Sequence, residues 1–553
     1  MHTTKITRML ALAGFAPAGK LSHLYCGLLP VLALLVATLG KMKWGKRAYA
    51  VLVLCAATAI ALPAQTFTSL FSFDGTDGEN LFAGLVQATN GALYGTTTGG
   101  ANAACSLYLT AGCGTIFKIT PSGTLTTVYS FCSQSGCTDG ANPVAGMVQA
   151  TNGDLYGTTL GGGAMSNARC LANISEAGCG TIFKITPSGT LTTVYSFCSQ
   201  SGCTDGANPF AGLVQATNGD FYGTTEYGGA NCAPYGGCGT VFKITPSGTL
   251  TTLYSFCSLG GFPACTDGAY PVAGLVQATN GDLYGTTEDG GTDPFGGGYG
   301  GTVFKITPSG TLTLLYSFCS QNGCTDGEFP VAGLVQATNG DLYGTSQYGG
   351  DQLSGGTIFK ITPSGTLTTL HSFAGYPTDG AYPVAGLVQA TNGDLYGTTG
   401  GGGANGDGAV FKITPSGTLT TLYSFCPLGY PCTDGLYPAA ALVQDTNGKF
   451  YGTTVNGGTH GFLDGTVFSL SVGLGPFVET QRTYGTVGAV IEILGTDLTG
   501  AAGVSFNGTA AAFTVISPSL IAARVPTGAT TGTVQVVTPS GTLSSNVPFR
   551  VLP

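Results

Sequence analysis

Thr66-Phe-Thr-Ser-Leu-Phe-Ser-Phe73 stands alone ahead of the first repeat, yet it matches position for position the TLTTLYSF-like run that ends six later ones, at 124–131, 190–197, 249–256, 311–318, 366–373 and 418–425. Each repeat opens with LVQATNG or a close variant, at Leu85, Met147, Leu213, Leu275, Leu334, Leu387 and Leu442. DLYGTT or a relative follows directly, then a variable Gly-rich stretch, then GTVFKITPSG and the TLTTLYSF run. The last repeat reaches Gly465-Thr-Val-Phe-Ser-Leu470 and has no TLTTLYSF of its own. First, second and third runs therefore occur seven times, and the fourth occurs seven times only if residues 66–73 are counted. A linear stack gains nothing from such a permutation and needs capping units. In a ring, residues 66–73 pair with the seventh repeat, join the chain's two ends and remove an exposed sheet edge.

The runs themselves read as β-strands. They are short, rich in Thr, Val, Leu, Tyr and Phe, and separated by Asn-Gly and Pro-Ser-Gly turn signals. In the fourth run Leu125, Thr127, Tyr129 and Phe131 are expected on one face, with Thr126, Val128 and Ser130 on the other. Four antiparallel strands per unit, repeated, is the plan of a propeller blade. The expected fold is all-β: a seven-bladed β-propeller of four-stranded blades over residues 66–472, closed by its N-terminal strand. If strands run outward in order, the two kinds of tight turn share one face. The second-to-third loops and the inter-blade links share the other, and all the length variation falls there. That loop face is the expected binding surface.

Composition agrees. The 553 residues include 92 glycines, 10% aromatics and only 8% charged side chains. Beyond residue 64 the chain holds 11 basic against 27 acidic side chains, a net −16 that repels phosphate backbones, so nucleic acid is not an expected partner. Residues 1–64 carry seven Lys/Arg and no acid. Lys41–Arg47, an apolar run, and small residues at Ala59, Ala61 and Ala64 fit a secretory signal peptide over about 42–64. Residues 1–41 then read as an extension ahead of the true start, and membrane contact is expected only through this N-terminal region if it is uncleaved. The last residues, PFRVLP, do not read as an apolar anchor.

Sixteen cysteines beyond Cys55 fall into eight close pairs. Five lie in the inter-blade links: Cys132/Cys137, Cys198/Cys203, Cys257/Cys265, Cys319/Cys324 and Cys426/Cys432. Three lie in second-to-third loops: Cys105/Cys113, Cys170/Cys179 and Cys232/Cys238. Links that lose one member lose both, as at 73–78 and 373–380, which marks them as disulfide partners of an exported protein.

Candidate chemistry is sparse. Every link contains Thr-Asp-Gly, giving Asp77, Asp139, Asp205, Asp267, Asp326, Asp379 and Asp434. The functional reading is an oxygen-rich cation site, calcium above all, near one end of the central channel. The favoured reading is that Asp-Gly shapes a turn. The acidic loop of Glu288, Asp289 and Asp293 lacks the alternating spacing of a calcium loop. His371 replaces Tyr in the fourth-run pattern and His460 stands alone. Tyr108, Tyr227, Tyr235, Phe295, Tyr299 and Tyr348 are loop aromatics suited to stacking on sugars or docking peptides. No catalytic constellation, metal motif or cofactor-binding motif is expected.

The string GLVQATNGDLYGTT…GTVFKITPSGTLTTLYSF resembles the secreted Gloeobacter/Verrucomicrobia ("GloVer") tandem repeat across residues 66–472. That resemblance implies an extracytoplasmic propeller and brings no activity or catalytic residue. Residues 476–553, with Gly495, Phe506-Asn-Gly508, Val525-Pro526 and Gly532, look like an IPT/TIG domain, an immunoglobulin-like β-sandwich. Such domains act as spacers or adhesion modules. The expected function is an exported, non-catalytic binding or adhesion protein with an extracellular protein or glycan as partner. A carbohydrate-binding or polysaccharide-degrading propeller and a structural envelope protein are the alternatives.

Overall fold

The computed structural model describes residues 65–552 except 103–104, 108–109, 165–177, 232–236, 262–263, 293–299 and 352–354. The signal-peptide region lies outside the described residues.

Among the described residues, seven four-stranded antiparallel sheets form the blades. Blade 1 contains Val86–Gln87, Leu93–Thr97, Thr115–Ile119 and Leu125–Ser130, paired in chain order from the axis outward. Blades 2 to 6 repeat this order, with innermost strands at Val148–Gln149, Val214–Gln215, Val276–Gln277, Val335–Gln336 and Val388–Gln389. Blade 7 contains Val443–Gln444, Phe450–Thr454 and Thr466–Ser471, and its outermost strand is Thr66–Ser72. Thr66 pairs with Ser471, Phe67 with Leu470 and Ser72 with Thr466. The N-terminal segment therefore completes the last blade.

Strict alternation along the fourth strand is not what forms. Ile116 opposes Tyr129 and Phe117 opposes Thr127, so Val128 is an extra residue in a β-bulge. The bulge turns Val128 toward the core instead of away from it. Blades 2 to 6 carry the same bulge, and so does the borrowed strand, between Ser69 and Phe71.

Two rings of contact close the circle. In the first, the glutamine of each LVQATNG accepts a hydrogen bond from a threonine amide of the preceding blade: Thr89 to Gln149 at 2.8 Å, and so on around to Thr446 and Gln87 at 3.0 Å. In the second, a phenylalanine following each outermost strand meets the next blade's third-strand phenylalanine edge to face, from Phe131–Phe183 at 5.3 Å to Phe73–Phe117 at 5.2 Å. That geometry suits the ring quadrupoles and seals each blade interface. Gly95 and its counterparts in the second strand make room for these rings, since a Cβ there would lie 2.5 Å from Phe117 Cζ.

Residues 479–552 form a two-sheet sandwich around Ile491, Ile493, Phe506, Ile521, Val534 and Phe549. It is docked, not a detached spacer. Side chains of Ser519, Gln481, Tyr484 and Arg550 donate to the carbonyls of Thr89 (2.9 Å), Ala150 (3.2 Å), Thr217 (3.0 Å) and Thr279 (2.7 Å). The Phe477 amide donates to Thr446 O at 2.9 Å. These acceptors belong to the tight turns of blades 1 to 4 and 7, so the sandwich lies across the axis on the turn face. The loop face keeps the open mouth.

Candidate ligand-binding cavity

The seven link aspartates are staples, each spent within its own link. Asp267 Oδ2 accepts from the Tyr254 hydroxyl (2.7 Å) and from the Ser258 amide (2.9 Å) and hydroxyl (2.8 Å), while Oδ1 accepts from the Leu259 amide at 3.1 Å. Asp139, Asp205 and Asp326 repeat the pattern with Tyr129, Tyr195 and Tyr316. Tyr423 donates to Asp434, and His371, standing where the others have tyrosine, meets Asp379 at 2.8 Å. The seventh strand offers Phe71 at this position, and Asp77 instead accepts from the Asp74 amide at 3.1 Å. These partners sit on the outermost strands, so the carboxylates are held at the rim of the blades. The channel-end cation site considered from sequence is not assembled; the turn-shaping geometry is what forms.

Disulfides join Cys105–Cys113, Cys132–Cys137, Cys198–Cys203, Cys257–Cys265, Cys319–Cys324 and Cys426–Cys432. Cys179 and Cys238 are also disulfide-bonded, and their expected partners Cys170 and Cys232 lie outside the described residues. So do Asp293, Tyr108, Tyr235, Phe295 and Tyr299.

The axis encloses a cavity of about 640 Å³, walled by the Ala-Gly-Leu segments before the innermost strands and by Phe82, Phe210, Glu226, Glu288, Gln347 and Tyr437. Its loop-face mouth breaks the repeat. At one position common to all seven links the backbone is left-handed, with φ between 52° and 57° at Asn80, Asn142, Asn208, Tyr270, Phe329, Tyr382 and Tyr437. Asparagine tolerates this conformation because its short amide bonds locally, whereas a bulky aromatic is strained by it. Blades 2 and 3 show that bonding: Asn142 Nδ2 donates to Thr98 O (2.9 Å) and Gly112 O (3.2 Å), and Asn208 Nδ2 to Leu160 O (2.8 Å). Blades 4 to 7 place aromatics there instead.

The residues after the second strand break the repeat on the same side. Blades 3, 4 and 5 supply Glu226-Tyr227, Glu288-Asp289 and Gln347-Tyr348; blades 1, 2, 6 and 7 supply Thr98-Gly99, Leu160-Gly161, Gly400-Gly401 and Val455-Asn456. Tyr227 meets Tyr270 edge to face at 5.6 Å, and Tyr348 meets both Phe329 (5.8 Å) and Tyr382 (5.5 Å). Burial pushes the Glu226 carboxyl up to about 7, against the lowering bond from Tyr227. Burial, then Asp289 and Glu226, push Glu288 to about 7, and burial with Glu328 pushes Asp289 to about 6. Tyr227 and Tyr348 were legible as loop aromatics. The arc of Tyr270, Phe329, Tyr382 and Tyr437 was missed, although aligning the links would have shown Asn giving way to aromatics at one position.

A model of the Gloeobacter/Verrucomicrobia repeat matches residues 58–171, 109–326 and 296–512, and an IPT/TIG domain model matches 478–551. No curated protein matches the chain significantly. Among solved structures, a fungal alcohol oxidase of the AA5 family in complex with copper is 12% identical with a TM-score of 0.46, over 88% of this chain and 99% of its own. The extracellular domain of a chain assigned as a hybrid two-component system in B. thetaiotaomicron is 11% identical, TM-score 0.43, over 88% and 58%. A gluconolactonase from Xanthomonas campestris is 13% identical, TM-score 0.35, over 75% and 92%. Nothing about activity follows from likenesses this distant.

Proposed function

We propose that this chain, which belongs to the Gloeobacter/Verrucomicrobia repeat family, is an exported, non-catalytic binding or adhesion protein whose ligand enters the axial cavity from the loop face. The observation that carries this reading is the one-sided break in a near-sevenfold repeat. Strain at bulky left-handed residues persists where function selects it, and here it recurs at Tyr270, Phe329, Tyr382 and Tyr437 beside Glu226, Glu288 and Gln347. A concave site with aromatic walls and a few convergent polar groups is the usual form of a ligand pocket. The disulfide-braced links hold the rim, and disulfides persist in oxidising, extracytoplasmic surroundings.

A second reading, polysaccharide cleavage, is favoured by one observation: two neighbouring carboxyls held near neutrality are suited to proton transfer. A glycan array and a peptide array probed with the full chain, run beside a polysaccharide depolymerisation screen, separate the readings. The binding reading expects array signals that fall at least tenfold in Tyr382→Asn and Tyr437→Asn, without cleavage. Reproducible cleavage overturns the non-enzymatic part, and silence on both arrays favours a structural envelope role.

A further inference from the structure

The tripeptide Gly-Tyr-Pro occurs in two consecutive links, at Gly375–Pro377 and Gly429–Pro431. Its glycine has the same left-handed backbone in both, φ 75° and 74°. The two tyrosines are displayed, with Tyr376 65% and Tyr430 77% exposed. Together with Phe462, 52% exposed, they wall a groove of about 430 Å³ between the loops of blades 6 and 7. The groove also contains Asn405 and Asp407, and Leu436 lines it one residue before Tyr437 of the axial cavity. A smaller annex of about 130 Å³ beside Thr459 and His460 shares Tyr430 and Phe462.

Three displayed aromatic rings around one polar-floored groove are not needed by the core, whose tyrosines and phenylalanines lie at or below 1% exposure in the strands. The loop carrying Tyr430 is also held in place. Cys426–Cys432 ties both ends of the loop carrying Tyr430, and Asn405 Nδ2 donates to Phe425 O at 2.7 Å and Ser424 O at 3.3 Å. Preformed aromatic walls lose little freedom when a flat apolar face stacks on them. Charge selects among ligands with such faces. The described loop-face residues include no Lys or Arg, and carry Asp74, Glu79, Glu226, Glu288, Asp289, Glu328, Asp351, Asp407 and Asp464 among their acids. Polyanions are repelled from this surface.

We propose that the groove is a ligand site separate from the axial cavity, taking consecutive uncharged sugar rings of a neutral polysaccharide against Tyr376, Tyr430 and Phe462, with Asn405 and Asp407 bonding their hydroxyls. The groove, at about 430 Å³, is of a size that suits a short run of rings. Binding of an uncharged ligand by stacking and hydrogen bonds is little affected by salt, unlike association of charged ligands with the acidic surface.

The test is native affinity electrophoresis of the full chain through gels containing soluble β-glucan, xylan, mannan or starch, with heparin as the polyanion and chitosan as the polycation. At least one neutral polymer is expected to retard the wild type equally at low and high salt. The double variant Tyr376→Ala/Tyr430→Ala, and Phe462→Ala, are expected to weaken that retardation at least tenfold with an unchanged melting temperature. Leu259→Ala, which removes an exposed apolar side chain from the link between blades 3 and 4, is expected to match the wild type. Absence of retardation by every neutral polymer, retention in the double variant, or binding to heparin or chitosan alone overturns the site. Retardation lost in Tyr382→Asn but kept in the groove variants overturns it while leaving the axial reading intact.

Discussion

Replacing Tyr382 by asparagine asks whether the aromatic arc at the channel mouth serves packing or a ligand. Tyr382 is 38% exposed, has φ 57°, and touches Tyr348 edge to face at 5.5 Å. Losing that pair costs about 1 kcal/mol, and losing the buried part of the ring costs roughly 1–2 kcal/mol more. Against this, asparagine relieves left-handed strain of about 1 kcal/mol or more. Its amide also gains a hydrogen bond of about 1 kcal/mol to the carbonyl of Gln347, the counterpart of Leu160 in the Asn208 contact. The terms nearly cancel, so stability is expected to stay within about 1 kcal/mol of wild type. Tyr396 is the contrast: 1% exposed, its hydroxyl 3.1 Å from Asn392 Nδ2. Tyr396→Asn is expected to cost about 3–5 kcal/mol, as other large-to-small core changes do. Thermal unfolding of both variants reads the difference as roughly 1 °C or less against about 3–5 °C. If Tyr382→Asn destabilises the chain as much as Tyr396→Asn does, the arc is core and the functional argument built on its strain fails.

Deleting residues 66–73 strips blade 7 of its outermost strand and removes Phe67, which stacks on Tyr423 at 3.8 Å, and the fully buried Phe73; the expected outcome is aggregation, read by light scattering, and a soluble chain of unchanged melting temperature would contradict circular closure. Asp267→Ala removes a buried carboxylate shared by four donors, leaves the Tyr254 and Ser258 hydroxyls only each other, and is expected to cost about 2–3 kcal/mol in denaturant unfolding, with Asp77→Ala costing far less. Asp445→Ala is expected to stabilise, because blades 1 to 6 have alanine there and Asp445 is 1% exposed with Oδ2 unpartnered among the described residues. Burial raises its carboxyl from 3.8 to about 6, so the folded chain holds a proton that the unfolded chain has released between these values. Folding loses stability as pH rises through that window. The gain in Asp445→Ala is therefore absent near pH 3.5 and reaches about 1–3 kcal/mol by pH 7, and melting curves showing an equal gain at both pH values would reject this cause.

Much of this protein is written in its order of residues. The surplus TFTSLFSF at the start and the missing fourth run at the end require a ring. Paired loss of cysteines in the links identifies the five bonded link pairs seen among the described residues. Both are properties of a repeat, and a repeat reports its own exceptions without any coordinates. The bulge at Val128 was not visible, because an extra residue leaves no gap when every copy carries it.

Tertiary structure alone decided where the exceptions meet. Glu226, Glu288, Gln347 and Tyr437 are separated by tens of residues, and only curvature of the ring brings them to one mouth. The immunoglobulin-like domain could have hung free on its linker. Its docking depends on carbonyls that five turns present together at one face, an arrangement that exists only after the blades have closed.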